Sequence, residues 1–318
     1  MFLSRISLTI TCLVRIIIPM PIPGKSLVVL VRSDLAIDID GNVDYEIVHH
    51  MLDSGLDAVS AGNDDYLRSL FGVSGSVGMK VNTIGGPKMS TQVELVDAFS
   101  NLLADSGIGK NRQIIWDRSD YELKAAGFTI ATRGNGPFCY GTDHSGAGYN
   151  PDLVSHGKIG GLLSSILTNH CGAVVNIPVL KDHGVAGMTG ALKNHYGSIH
   201  NPNKYHGEGC NPYISDLNNL EQIKSKQRLI IMDALKVQFQ GGPSYLRRWV
   251  EHFGAILFST DPVAIDTAGY GIIERLRAKS GLESLEDSRR KPIYLKTAAD
   301  SGLGNSDLAR IQIKEINI

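Results

Sequence analysis

Residues 173–206 read AVVNIPVLKDHGVAGMTGALKNHYGSIHNPNKYH, and the fold follows from how this stretch divides. From Ala173 to Leu180 it is apolar apart from Asn176 and rich in β-branched side chains, as a strand buried on both faces requires. Lys181, Asp182 and His183 then bring polar chemistry together at the carboxyl end of that strand. Glycines at 184, 187 and 190 follow, and after them a helical pattern carrying Lys193, His195 and Tyr196. In α/β proteins a buried strand, a glycine-rich turn and a helix form the unit that holds ligands at strand carboxyl ends. The stretch therefore predicts a fold class and the location of a site together.

Working outward, strands are expected at Leu27–Val31, Val77–Val81, Arg112–Trp116, Arg228–Met232, Ala255–Ser259 and Arg310–Ile316. Helical spacing appears in Asp44–Ala58, in a segment ending at Leu103, in one ending at Ala126, and in Lys158–Asn169 and Pro212–Lys224. Two more helices are expected at Pro262–Ala278 and Tyr294–Ser301. Ser90 or Thr91 is expected to cap the helix before Leu103, with Glu94 completing a capping box, and Asp261 to cap the helix begun by Pro262. Alternating strands and helices predict an α/β fold with a doubly wound, mostly parallel sheet. Residues 26–318 read as the folded domain, with subdomains 26–156 and 157–318 flanking a cleft. The long polar, glycine-rich segment Arg133–His156 is expected to act as a lid or cleft wall.

The first 25 residues stand apart. Residues 2–23 are apolar but interrupted by Arg5 and Arg15, so neither piece reaches the ~20 uninterrupted apolar residues of a membrane span. They read equally as a weak export signal without an A-x-A cleavage site and as an extension outside the fold. Cytoplasmic and exported locations both stay open.

With 42% hydrophobic residues in 318 and a net charge of -1, the chain can build a sizeable core and lacks the basic stripe of a nucleic-acid binder. Cys12, Cys139, Cys171 and Cys210 are scattered and form no C-x-x-C pair, so no intrinsic iron–sulfur cluster and no all-cysteine zinc site is expected. Oligomeric state is not legible.

Seven of the ten histidines fall between His144 and His206, an enrichment that suits acid–base work or metal binding. His183 is the strongest candidate, because it stands at a strand end beside Lys181 and Asp182. Thr189 and Lys193 are expected one helical turn apart on a single face, and Gly187 and Gly190 would let a ligand approach closely. A lysine on a helix is ordinarily solvated; here glycines and small apolar residues surround it. The run Gly190-Ala191-Leu192-Lys193 lacks the ending of a phosphate-binding P-loop. Asn82 with Gly85 and Gly86, Asp117-Arg118, Asp233, and Asp261 with Asp266 mark further strand ends.

NIPVLKDHGVAGMTGALKN (176–194), TDPVAID (260–266) and VNTIGGP (81–87) together resemble the family called domain of unknown function 362, across roughly Val77 to Ala278. Some members of that family carry an added ferredoxin module, and many are exported. A more local likeness links His183, Ala186, Gly187, Thr189, Gly190 and Lys193 to the H-x-x-A-G-x-S-G-G-x-K motif of the nickel-dependent lactate racemases. That likeness implies a cofactor role for Lys193 toward a nickel-pincer nucleotide, acid–base catalysis by His183, and metal ligation by His200 or His206. Ala191 replaces the motif's second glycine, and the racemases' D-x-T-R-P motif is absent.

The expected function is an enzyme that binds a divalent metal or a phosphate-bearing cofactor and acts on a small anionic substrate. His183, Lys193, Lys181 and Asp182 are the catalytic candidates, Lys193, Gly187, Thr189, Gly190, Gly85 and Gly86 the cofactor-binding ones, and His200 and His206 the metal ligands. Isomerase and oxidoreductase chemistry both fit this set. The alternative is a non-catalytic binding or electron-transfer partner of an iron–sulfur system.

Overall fold

The computed structural model describes residue 22 and residues 24–318; the apolar extension expected over residues 1–25 lies for the most part outside them. Among the described residues twelve strands are present: β1 Ser26–Arg32, β2 Ser76–Lys80, β3 Gln113–Trp116, β4 Phe138–Cys139, β5 Val154–His156, β6 Ile159–Gly161, β7 Cys171–Asn176, β8 Val179–His183, β9 Gly187–Thr189, β10 Gln227–Gln238, β11 Val250–Ser259 and β12 Ile311–Asn317. The α-helices are α1 Tyr45–Ser60, α2 Tyr66–Phe71, α3 Val93–Asp105, α4 Asp120–Ala125, α5 Ala191–Asn194, α6 Tyr213–Asn218, α7 Glu221–Lys224, α8 Pro262–Lys279 and α9 Tyr294–Asp300.

Ten strands form one sheet in the order β12-β1-β11-β10-β7-β2-β3-β4, with β8 and β9 continuing from β10. The run β10-β7-β2-β3-β4 is parallel, as is β1 with β12; β11 is antiparallel to both its neighbours. Side chains of β1 show why the strands read as continuous apolar runs. Val28 and Leu30 enter one core with α5, α6, α8 and α9, while Val29 and Val31 enter another with α1 and α3. A sheet covered on both faces needs apolar residues at every position. This is the mixed, mostly parallel α/β architecture expected.

Three local expectations are corrected. The apolar run through Leu180 is two strands, β7 and β8, separated at Ile177-Pro178; proline has no N–H to give the ladder and the chain turns out of line there. Lys158–Asn169 is not a helix: β5 and β6 form a hairpin through Gly157 at φ 54°, followed by a wide helical turn at Ile166–His170. Pro212–Lys224 is broken into α6 and α7.

The cap of α3 also differs. The helix begins at Val93, and the Gln92 N–H donates to Asp233 Oδ2 of β10 at 2.8 Å. Thr91 is drawn elsewhere, its hydroxyl donating to Ile177 O at 2.8 Å and accepting from Asn82 N at 2.9 Å. A long-range carboxylate thus replaces the local capping box.

Asp261 does cap α8, accepting from Val263 N at 2.9 Å and Ala264 N at 2.8 Å. Its second oxygen accepts from Ser26 Oγ at 2.5 Å and Asn305 N at 3.0 Å, so one carboxylate joins the start of β1, the start of α8 and the C-terminal loop. Asp261→Ala is expected to lower stability by about 2 kcal/mol, more than an ordinary cap, in urea unfolding. A loss below about 0.5 kcal/mol, the range of a neutral surface change, would refute this role.

Candidate functional site

A cavity of about 320 Å³ opens where the carboxyl ends of β2, β3 and β8 meet β9 and α5. Its floor is a buried polar network. Lys80 Nζ, at the end of β2, donates to Asp117 Oδ1 at 2.7 Å and to Val81 O at 2.7 Å. Asp117, just past β3, also accepts from Arg118 N, and its other oxygen takes both the N–H and the hydroxyl of Thr83 at 2.8 Å. Asn194 of α5 locks into this layer, accepting from Asn82 Nδ2 at 3.1 Å and donating to Lys80 O at 3.1 Å and Asn176 Oδ1 at 2.8 Å. Parallel strands bring these groups together because their carboxyl ends lie side by side, with Lys80 in register with Trp116.

Lys193, His183 and His206 form the wall above. Lys193 Nζ lies 4.3 Å from the centre of the Tyr196 ring and 3.3 Å from His206 Nε2. The tautomer of His206 follows from its other nitrogen: Nδ1 faces Pro202 O at 3.1 Å, a carbonyl that only accepts, so Nδ1 carries the proton. Nε2 therefore offers a lone pair to Lys193. His183 has the opposite tautomer. Its Nδ1 accepts the backbone N–H groups of Val185 and Ala186 at 3.2 and 3.1 Å, which leaves the proton on Nε2. The two rings stack with centroids 5.6 Å apart.

Burial governs the protonation of this wall. It pushes Lys193 down to about 8, opposed only by the nearby Cys210 thiol. It drives His183 down to about 2, with Lys193 and His206 adding to the effect, so its imidazole is neutral rather than poised near working pH as general acid–base chemistry would ask. Arg118 and Glu122 complete the rim, 3.7 Å apart, and burial raises the Glu122 carboxyl. Asp117 is matched by Lys80 and Glu122 by Arg118; Lys193 has no carboxylate in ion-pair contact among the described residues. The cavity is left with surplus positive charge.

The other predicted residues divide. Thr189 lines the cavity, although it belongs to β9 and not to the helix of Lys193, because α5 begins only at Ala191. Lys181 lies one layer behind, wholly buried, donating to Asn82 Oδ1 at 2.9 Å and Met89 O at 3.2 Å, with burial lowering it to about 7. Asp182 points to the opposite side of β8, where Arg290 Nη1 donates at 2.8 Å and Gly242 N at 2.9 Å. His200, expected as a metal ligand, is exposed and rests edge-on against Tyr149, outside the cavity. His206 alone of the two metal candidates reaches the cavity. Among the described residues no group of three or more His, Cys, Asp and Glu is arranged to hold a metal ion, and the Nε2–H tautomer of His183 is a donor rather than a ligand.

Two glycines serve packing. Gly187 has φ 81° and faces Arg290 O, while a β-carbon at Gly190 would overlap Asp266 Oδ1. That Asp266 carboxylate, from α8, accepts from Ala191 N at 2.6 Å and Leu192 N at 3.0 Å, and so holds the start of α5. Gly85 and Gly86 sit in the loop that carries Ile84 to the cavity rim and are not themselves in the wall. The Arg133–His156 segment is pinned beside β3, through Thr142 N to Asp117 O at 3.0 Å and His144 Nδ1 to Asp120 Oδ2 at 2.6 Å, and supplies no residue to the wall. Sequence reasoning missed Lys80, Asn176 and Asn194. A sharper signal was available for Lys80, since it closes a strand adjacent to the one that Asp117 follows.

A family model described as Domain of unknown function (DUF362) matches residues 77–271, well over half of the chain. Among curated proteins, no sequence matches. A crystal structure of a protein from Thermotoga maritima is similar at 11% identity with a TM-score of 0.37, the match covering 81% of this chain and 59% of that one.

His195 illustrates the network's dependence on neutral groups. It is fully buried, Nε2–H donating to Gln227 Oε1 at 3.0 Å and Nδ1 accepting from Ser198 Oγ at 3.1 Å, and burial holds it at about 4 against an ordinary 6.5. A depressed folded value means that the unfolded chain binds the proton first, so stability is present above 6.5 and is lost as pH falls toward 4. Between pH 7 and pH 4 the wild type is expected to lose about 3 kcal/mol more than His195→Gln in denaturant unfolding. Parallel pH profiles for the two proteins would refute the assignment.

Proposed function

The chain belongs to the domain of unknown function 362 family, and we propose that it is an enzyme that binds a small anionic molecule in the cavity walled by Lys193, His183 and His206. The observation that carries this reading is the environment of Lys193. Its ammonium group is buried against a ring face and an imidazole lone pair, with no carboxylate to neutralise it among the described residues. A buried cation without a counter-ion is costly, and an incoming anion relieves that cost.

The remaining wall supports the same polarity. Arg118, already facing Glu122 at 3.7 Å, adds guanidinium donors at the rim, His183 Nε2–H is a neutral donor, and Ile84, Pro202 and Pro243 supply the apolar surface on which a small body can lie. The volume, about 320 Å³, sits at the lower end of ligand sites. Either the phosphate of a cofactor or the carboxylate of a substrate would meet the same cations. In this reading residues 26–318 work as one unit, which the sheet supports by drawing strands from both 26–156 and 157–318.

Titration calorimetry with phosphate, pyrophosphate and small carboxylates tests the proposal. Lys193→Ala is expected to weaken the best of these anions by at least about tenfold, the loss of one charge-assisted contact, while Lys193→Arg keeps part of the affinity. Thermal unfolding of each variant separates lost binding from lost folding. Unchanged affinity in folded Lys193→Ala would sink the reading.

A further inference from the structure

We propose that Lys193 is an imine-forming amine, and that the anion this cavity takes is a small aldehyde or ketone bearing one carboxylate or phosphate group. The inference rests on the anion-binding reading above and adds to it the chemistry of the bound molecule. It starts from what surrounds Nζ. An acceptor, His206 Nε2, stands 3.3 Å away with its lone pair fixed by the Nδ1–H bond to Pro202 O. A donor, His183 Nε2–H, lies on the ring stacked against that acceptor, its tautomer fixed by Val185 and Ala186. Amine, proton acceptor and proton donor therefore share one wall, the two histidines in roles set by the backbone.

Imine formation uses these three roles. The Lys193 ammonium gives a proton to His206, and the neutral amine attacks the carbonyl carbon; the carbonyl π pair moves to oxygen, which takes a proton relayed from the wall. The resulting carbinolamine expels its hydroxyl with a further proton as water, leaving a protonated imine. An ammonium and a carbonyl compound thus become an iminium ion and one water, with no oxidant or reductant. Burial that lowers the Lys193 amine to about 8 makes the neutral nucleophile accessible near neutrality. To an anchoring ammonium the His206 lone pair is one more acceptor; to an amine that must lose its proton it is also the place where that proton goes. Arg118 at the rim already faces Glu122 at 3.7 Å, and its guanidinium, with five N–H donors, can engage the carboxylate or phosphate beside it.

The test is reductive trapping of the purified full chain with cyanoborohydride and three probes: glyoxylate, glycolaldehyde phosphate and uncharged acetaldehyde. One adduct per chain is expected by intact mass, mapped to the peptide containing Lys193, and formed at least about tenfold faster with an anionic probe than with acetaldehyde, as one favourable charge contact would give. Comparison of the two anionic probes distinguishes carboxylate from phosphate recognition. Peptide mapping of wild type needs no variant to fold; folded Lys193→Arg is expected to lose the adduct, and His206→Phe to slow it. Adducts spread over exposed lysines, or equal labelling in Lys193→Arg, would overturn the imine. Lys193-dependent phosphate binding without a Lys193 adduct would overturn it while leaving the anion site intact, and the absence of both would remove the two readings together.

Discussion

Lys80 and Asp117 form an ion pair at 2.7 Å with almost no solvent access, and the site is assembled around it. Either charge alone at that depth would be strongly destabilising, because desolvation is repaid only by close partners and satisfied hydrogen bonds. Asp117 meets the requirement with four donors and Lys80 with two carbonyl-type acceptors besides its partner. Those contacts tie the ends of β2 and β3 together and draw in Asn82 and Asn194, which fixes where α5 can lie. Gly197 comes so close to the pair that a β-carbon there would collide with both members. The cavity exists in its present shape because this pair must be enclosed.

Enclosure also decides the chemistry. With Asp117 committed to Lys80 and Glu122 facing Arg118, no carboxylate among the described residues is in ion-pair contact with Lys193, which lies against an aromatic face and His206. The histidines obtain their tautomers from backbone groups whose hydrogen-bonding sense is invariable, a carbonyl for His206 and two amides for His183. Main-chain geometry thus determines which nitrogen faces the cavity as donor and which as acceptor. No side-chain partner is needed to set the roles.

Much of this was legible from the sequence, and the losses have physical causes. Strand runs were visible because a sheet covered on both faces leaves a continuous apolar signature, and the position of His183 and Lys193 followed from the strand–turn–helix unit. Asp182 could not be told from its neighbours, because alternation along β8 sends Lys181 and His183 one way and Asp182 the other, and the direction depends on packing against Arg290. The α3 cap differs for a similar reason: Asp233 is far away in sequence and takes the place of the local pattern of Ser90 or Thr91 with Glu94. His200 and His206 look equivalent in a sequence; only the fold of the turn between them turns one outward to Tyr149 and the other inward to Lys193.

The close approach of Gly190 to Asp266 has a consequence for how this chain can vary. Asp266 holds the start of α5 by accepting two amide hydrogens, and it can reach them only because position 190 has no side chain. The two positions, 76 residues apart in number, are therefore a single compatibility unit: restoring a side chain at 190 demands a shorter residue at 266, and lengthening 266 forbids anything but glycine at 190. A layer that never touches the cavity in this way restricts which sequences can present Lys193 at all.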